Sequence, residues 1–112
     1  MPTEKDTKTE LFRQRLSRLG GVVETDRADS GLSTLSFQSV MHPQRHVWID
    51  TDLAGECILD LEDWIAEETW DNSVAHLASQ DVDTVTVIAN AWLTGATVEE
   101  CKRLGGSVID LR

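Results

Sequence analysis

The sequence predicts an α+β domain: an N-terminal helix, an antiparallel sheet of four or more strands, and two to three further helices packed on one face. Three observations support this. Apolar residues follow helical spacing near both ends, and short runs of alternating polarity separated by turn residues fill the middle. A chain of 112 residues with 40% hydrophobic residues suffices for a single core. The polar first residues predict a disordered tail over 1–6 and one domain over 7–112.

The first helix is predicted by a capping box and an apolar stripe. Thr7 stands three residues before Glu10, and Phe12, Leu16 and Leu19 follow at helical spacing. The glycine pair at 20–21 predicts the end of this helix.

Four strands are predicted next, over about 22–25, 32–40, 46–50 and 56–61. The segment 51–55 has the composition of a tight turn, and a glycine ends it. Because the strands follow one another closely, we expect an antiparallel meander.

The second half is less regular. Residues 63–70 and 72–79 predict two short helices, because their apolar positions lie on opposite sides of one continuous helix. Residues 82–93 fit either a strand or a helix, and the β-branched residues favour a strand over about 84–89. A second capping box predicts a helix from Thr97 to 104, and 107–111 predicts a last strand.

Charge is unevenly distributed. The chain has 10 Lys and Arg against 20 Asp and Glu, a net charge of −10, and neither base occurs between His46 and Cys101. This acidity argues against nucleic acid or an anionic membrane as partner and suits a basic protein. Arg13, Arg15 and Arg18 on the first helix would weaken that interpretation if they neutralised the acidic stretch.

The segment 84–98 is too short and polar to span a bilayer, and no signal peptide is visible. We therefore expect a cytoplasmic protein, and the scarcity of Lys beside abundant Asp and Thr suits a prokaryote.

No cofactor or metal is predicted. Cys57 and Cys101 lie in apolar stripes and predict buried, unreactive thiols. Pro43 separates His42 from His46, so the two imidazoles do not share a helix face. The acids at 50, 52 and 56 lack the remaining ligands of a calcium loop.

The preferred functional hypothesis is a non-enzymatic interaction or regulatory module, similar to small acidic inhibitors or immunity proteins, that docks a basic partner. Its predicted interface is an acidic segment with two tryptophans that anchor contacts: Asp63, Trp64, Glu67, Glu68 and Trp70. Self-association stays open.

Two alternatives remain. The first is a small enzyme or ligand-binding domain that uses the strand face of His46, Trp48 and Asp50, with His46 and Asp50 as its catalytic candidates. The second treats 82–104 as two helices joined at 94–96, a helix-turn-helix-like regulatory unit. Its second helix offers phosphates only Lys102 and Arg103, beside two glutamates.

Overall fold

The computed structural model describes residues 4–25, 34–52, 54–63, 73–105 and 107–109. The fold is α+β, as the sequence predicts. Its elements in chain order are α1 (Glu4–Ser17), β1 (Val22–Thr25), β2 (Thr34–Ser39), β3 (Arg45–Thr51), β4 (Cys57–Asp63), β5 (Ser73–Ser79), α2 (Val82–Leu93), α3 (Val98–Arg103) and β6 (Ser107–Ile109).

The six strands form one antiparallel sheet in which every strand pairs with its neighbour in the chain. Strands β1 to β4 form the meander that their close spacing predicts, and β5 and β6 extend the sheet beyond it. Helices α1 and α2 pack on each other and on the same face of the sheet, with α1 over β1–β3 and α2 over β3–β5.

The core lies between these helices and the sheet. Alternation in β3 shows how it is built, because Val47 and Ile49 are buried whereas Asp50 is exposed. Helix α1 contributes Phe12 and Leu16, both fully buried. The remaining core side chains come mainly from α2, β2, β4 and β5.

Helix α1 begins earlier than predicted. It starts at Glu4, so Thr7 and Glu10 lie inside it and do not form its capping box. The predicted apolar stripe is nevertheless present, because Phe12 and Leu16 are buried and Leu19 packs against the core. Tertiary burial of this stripe stabilises the helix beyond what its local cap signal indicates.

The predicted helix over 72–79 is wrong, because Ser73–Ser79 is strand β5. Val74 and Leu77 stand at helical spacing and favoured a helix, but pairing with β4 decided the conformation. The companion helix predicted over 63–70 lies outside the described residues except for Asp63, which ends β4.

The strand favoured over 84–89 is also wrong, because Val82–Leu93 is helix α2. Asp81 caps it: its carboxylate accepts a hydrogen bond from the backbone N–H of Asp83 and another from the hydroxyl of Thr84. The buried stripe of Val85, Ile88, Ala89, Trp92 and Leu93 then outweighs the strand preference of the β-branched residues.

The C-terminal capping box is confirmed. The Thr97 hydroxyl accepts a hydrogen bond from the Glu100 N–H at 3.1 Å, and the Glu100 carboxylate accepts one from the Thr97 N–H at 3.1 Å. Helix α3 therefore begins as the sequence predicts. Gly105 has a φ of 124° just beyond its end, a conformation that favours glycine.

Arg45 joins the start of β3 to the end of α2. Its guanidinium lies 3.8 Å from the centre of the Trp92 ring, and it donates hydrogen bonds to the carbonyls of Trp92 at 2.8 Å and Ala96 at 2.6 Å. The Trp92 indole N–H in turn donates to the Glu62 carbonyl at 3.2 Å. The Arg45 guanidinium thus lies at the C-terminal end of α2, where the helix dipole favours a positive charge.

Across the described residues, no helix is both long enough and apolar enough to cross a membrane.

Candidate functional site

The side of the sheet opposite α1 and α2 carries a group of polar and aromatic residues, which we call the polar face. They occupy the strand positions that alternate with the core residues. Its members on the four central strands are Ser36, Gln38, His46, Trp48, Asp50, Asp60, Glu62 and His76.

Strand register brings these residues into rows. Ser36, Trp48, Asp60 and His76 are successive partners across β2, β3, β4 and β5. Directly opposite side chains in an antiparallel sheet have Cβ atoms about 5 Å apart. Trp48 therefore lies directly beside Asp60, and Asp60 lies beside His76.

A second row runs parallel to the first. Gln38 and Glu62 both pair with His46. Glu62 thus stands diagonally across from Trp48, within reach of a long side chain. The register of β4 against β5 shifts between Leu61 and Glu62, so the sheet is irregular at this point.

Several side chains at the centre of the polar face are shielded from solvent. Ser36 and Glu62 are buried and Trp48 is half-buried, whereas Asp50 at its rim is exposed. The imidazole of His76 and the carboxylate of Asp60 are 3.5 Å apart, each side chain 22% exposed. The partly desolvated centre strengthens any electrostatic contact made there.

Acidic side chains outnumber basic ones on the polar face. It bears the carboxylates of Asp50, Asp60 and Glu62, and none of its described positions holds a Lys or Arg. The sheet face opposite the helices therefore has an acidic composition within the described part of the chain.

Lys8 and Arg45 make their contacts away from the polar face. Lys8 donates hydrogen bonds to the carbonyls of Gly55 and Gln80, both at 2.7 Å, and so ties α1 to the ends of β4 and β5. Arg45 is held against Trp92 on the helix side.

Helix α1 neutralises the acidic half of the chain only in part. Arg15 forms an ion pair with Asp83 of α2, whereas Arg13 pairs with Glu10 and Glu24, both at 3.3 Å, in the first half of the chain. All these pairs lie on the helix side of the sheet. These ion pairs therefore weaken the case for a basic partner on the helix side of the sheet. They do not involve the acidic residues of the polar face.

His46, Trp48 and Asp50 lie on one face of β3, as their spacing predicts. His46 and Asp50 are four residues apart on the strand, however, which separates them by about 13 Å. The imidazole–carboxylate pair that forms is instead His76 with Asp60. The alternation of β3 predicted that His46, Trp48 and Asp50 share one face. It did not predict Asp60, Glu62 and His76 as site residues, because only the register between strands places them on the same face.

The predicted tryptophan-containing interface falls mostly outside the described residues. Trp64, Glu67, Glu68 and Trp70 all lie there. Asp63 is the last residue of β4 and the register partner of Arg45, and it is partly buried.

The two cysteines are free and buried. Burial raises the pKa of both the Cys57 and the Cys101 thiol, which keeps them protonated at neutral pH. The sequence predicted this behaviour from their apolar surroundings.

The acids and histidines singled out for metal binding have other roles. Asp52 accepts hydrogen bonds from the N–H groups of Ala54 and Glu56, both at 2.9 Å, and so shapes the β3–β4 turn. His42 lies in the β2–β3 connection close to Gly95, away from His46 on the polar face. Within the described ranges, no three His, Cys, Asp or Glu residues form a group that could hold a metal ion.

The polar face holds one imidazole–carboxylate contact, between His76 and Asp60. His76 and Asp60 could exchange a proton with a ligand, but Ser36 lies two strands from Asp60, about 10 Å away. A nucleophile activated by that imidazole would need to be in hydrogen-bond reach of it.

Comparison of the chain with protein families, with curated proteins and with solved structures finds no match.

Proposed function

We propose that this protein is a cytoplasmic, non-enzymatic interaction module that docks a basic protein partner on its polar face. The observation that supports the proposal is the composition of that face. Three carboxylates, two imidazoles and a tryptophan occupy it, and no described Lys or Arg does. A basic partner gains from such a surface both by electrostatic steering and by contact with the aromatic ring.

The rest of the fold supports the same role. The helices cover the opposite side of the sheet and supply the core, so the polar face is not needed to bury α1 or α2. In addition, β4 leads at Asp63 into the acidic, tryptophan-containing segment predicted as an interface. The proposed docking surface is therefore the polar face together with that segment.

The helix-turn-helix-like alternative has its two helices, α2 and α3, joined at 94–96. Helix α3 is short, however, and Glu99 and Glu100 are exposed on it. Lys102 lies 3.7 Å from the Glu99 carboxylate. The two glutamates offset Lys102 and Arg103, so α3 offers a phosphate backbone no net positive charge, and we favour a protein partner.

The test is a matched pair of charge reversals. Asp50→Lys changes an exposed residue of the polar face, and Glu99→Lys makes the same change of charge on α3, on the other side of the sheet. Affinity for oligo-lysine and oligo-arginine peptides of equal length would be measured by titration calorimetry. The affinity would be measured at about 0.01 M and about 1 M salt, where the Debye length is about 30 Å and about 3 Å, so that charge is weakly screened in the first case and strongly screened in the second.

We expect the wild-type protein to bind these peptides with an affinity that falls steeply with salt. Asp50→Lys should weaken binding about tenfold at low salt, because the reversed charge lies at the docking surface. Glu99→Lys should weaken it no more than about twofold. Equal losses in the two variants, or affinity that salt does not change, would contradict the proposal.

A further inference from the structure

We propose that docking on the polar face is regulated by pH, because protonation of His46 and His76 lowers the negative charge of that face and weakens its hold on a basic partner. This inference rests on the proposed function and adds its regulation. The imidazole is the side chain whose charge ordinarily changes between about pH 5 and pH 8, whereas carboxylates ordinarily gain a proton only near about pH 4. Acidification within that range therefore acts on the face through its imidazoles.

Strand register places each imidazole opposite a carboxylate of β4. His46 is the direct partner of Glu62. His76 is the direct partner of Asp60, and its imidazole lies 3.5 Å from that carboxylate. Directly opposite side chains in an antiparallel sheet have Cβ atoms about 5 Å apart. A proton taken up by either imidazole thus adds a positive charge beside one of the acids that make the face negative.

The partners of the two histidines on their other sides are uncharged. Gln38 of β2 stands opposite His46, and Ile109 of β6 stands opposite His76. Arg45 precedes His46 in the chain, but it contacts α2 on the helix side of the sheet. Within the described strands, the charged groups on the same face as the two imidazoles are the acids Asp50, Asp60 and Glu62.

The two imidazoles can change the charge of the face by a large fraction. With both neutral, the three carboxylates give the face a formal charge of −3, and with both protonated the formal charge is −1. The side chains of His76 and Asp60 are each only 22% exposed, so water and salt screen their charges less than on an open surface. Because the partner is attracted by this charge, its affinity should fall with pH.

The third histidine of the chain provides a matched control. His42 lies in the β2–β3 connection, and its Nε2 would be 3.0 Å from a Cβ placed on Gly95, in the turn after α2. It is therefore not part of the polar face. A general loss of negative charge on acidification involves all three histidines, whereas the proposed regulation involves only His46 and His76.

The experiment measures the affinity of an oligo-lysine peptide by titration calorimetry at about pH 8 and about pH 5.5, in about 0.1 M salt, where the Debye length is about 10 Å. Lysine keeps its charge at both pH values, and blocked peptide termini leave no other titrating group. The same measurement in wild-type protein at about 0.01 M salt gives the reference for binding itself.

The variants are His46→Gln, His76→Gln, the two combined, and His42→Gln. Glutamine is neutral at both pH values and keeps a donor and an acceptor for hydrogen bonds. Circular dichroism and thermal melting at both pH values verify that each protein is folded.

We expect the wild-type protein to bind the peptide about tenfold more weakly at about pH 5.5 than at about pH 8. In the double variant the two affinities should agree within about twofold, because the charge of its polar face no longer changes. Each single variant should show a loss of about threefold, which keeps the test decisive if the double variant does not fold. His42→Gln should keep the wild-type loss.

The outcomes separate the two proposals. Wild-type affinity that does not change with pH, or a full loss on acidification that persists in the folded polar-face variants, would overturn the regulation by pH and leave the docking of basic partners standing. Abolition of the loss by His42→Gln alone would do the same. Failure of the peptide to bind at about pH 8 and about 0.01 M salt would overturn the proposed function and this inference with it.

Discussion

Replacement of Arg45 by methionine should destabilise the fold strongly, although no substitution in the core is made. The guanidinium contacts the Trp92 ring and donates to two carbonyls at the end of α2 and in the following turn. Methionine preserves much of the apolar length of the side chain, so the change isolates the loss of the charged head group.

The magnitude follows from these contacts. A hydrogen bond from a charged donor contributes about 1.5–3 kcal/mol, and a partly desolvated cation–π contact contributes about 1–2 kcal/mol. The gross loss is reduced because the Trp92 carbonyl also accepts a hydrogen bond from the Gly95 N–H at 3.2 Å. Water replaces part of the rest at this half-buried site. We expect the free energy of unfolding to fall by about 3 kcal/mol.

Urea unfolding followed by tryptophan fluorescence and far-ultraviolet circular dichroism measures this loss. Arg18→Met is the matched control, because Arg18 is exposed just beyond α1. It should change the free energy of unfolding by less than about 0.5 kcal/mol. Arg45→Lys should fall between the two, because lysine keeps the charge but not the planar fork. If Arg45→Met were as stable as the Arg18 control, the assigned role of the Arg45 contacts would be refuted.

Two further predictions concern local chemistry. Hydrogen bonds from Thr84 and Asp83 lower the pKa of Asp81, so this cap stabilises the protein above about pH 4 and the contribution is lost as the pH falls through the folded-state pKa. Asp81→Ala should therefore lower the thermal midpoint at neutral pH. A difference from wild type that persisted undiminished at strongly acidic pH would contradict the assignment. Cys57 and Cys101 should react with a disulfide reagent near neutral pH only at the rate of unfolding, because burial raises the pKa of both thiols. Rapid labelling of either thiol in the native protein would refute this prediction.

Local pattern predicted the elements whose signal is strong within a few residues. The alternation in β3 and β4 placed their strands, and the Thr97 and Glu100 capping box placed the start of α3. The two errors of element type in the described residues, over 73–79 and 84–89, have a common cause. Short runs of small or β-branched residues satisfy both periodicities, and burial against the rest of the fold decides between them.

The same distinction applies to the candidate site. The alternation of β3 was enough to place His46, Trp48 and Asp50 on one side of a strand. It could not show that Asp60 stands beside Trp48.

The sequence also gives the net charge and the distribution of charge along the chain, but it does not show which charged side chains meet in the fold. The acid excess between His46 and Cys101 is a property of the sequence, but the pairing of Arg15 with Asp83 depends on how α1 crosses α2. The reason is physical. Side-chain direction within an element follows from local backbone geometry, whereas contacts between residues far apart in the chain depend on strand register and helix packing, which the whole core selects.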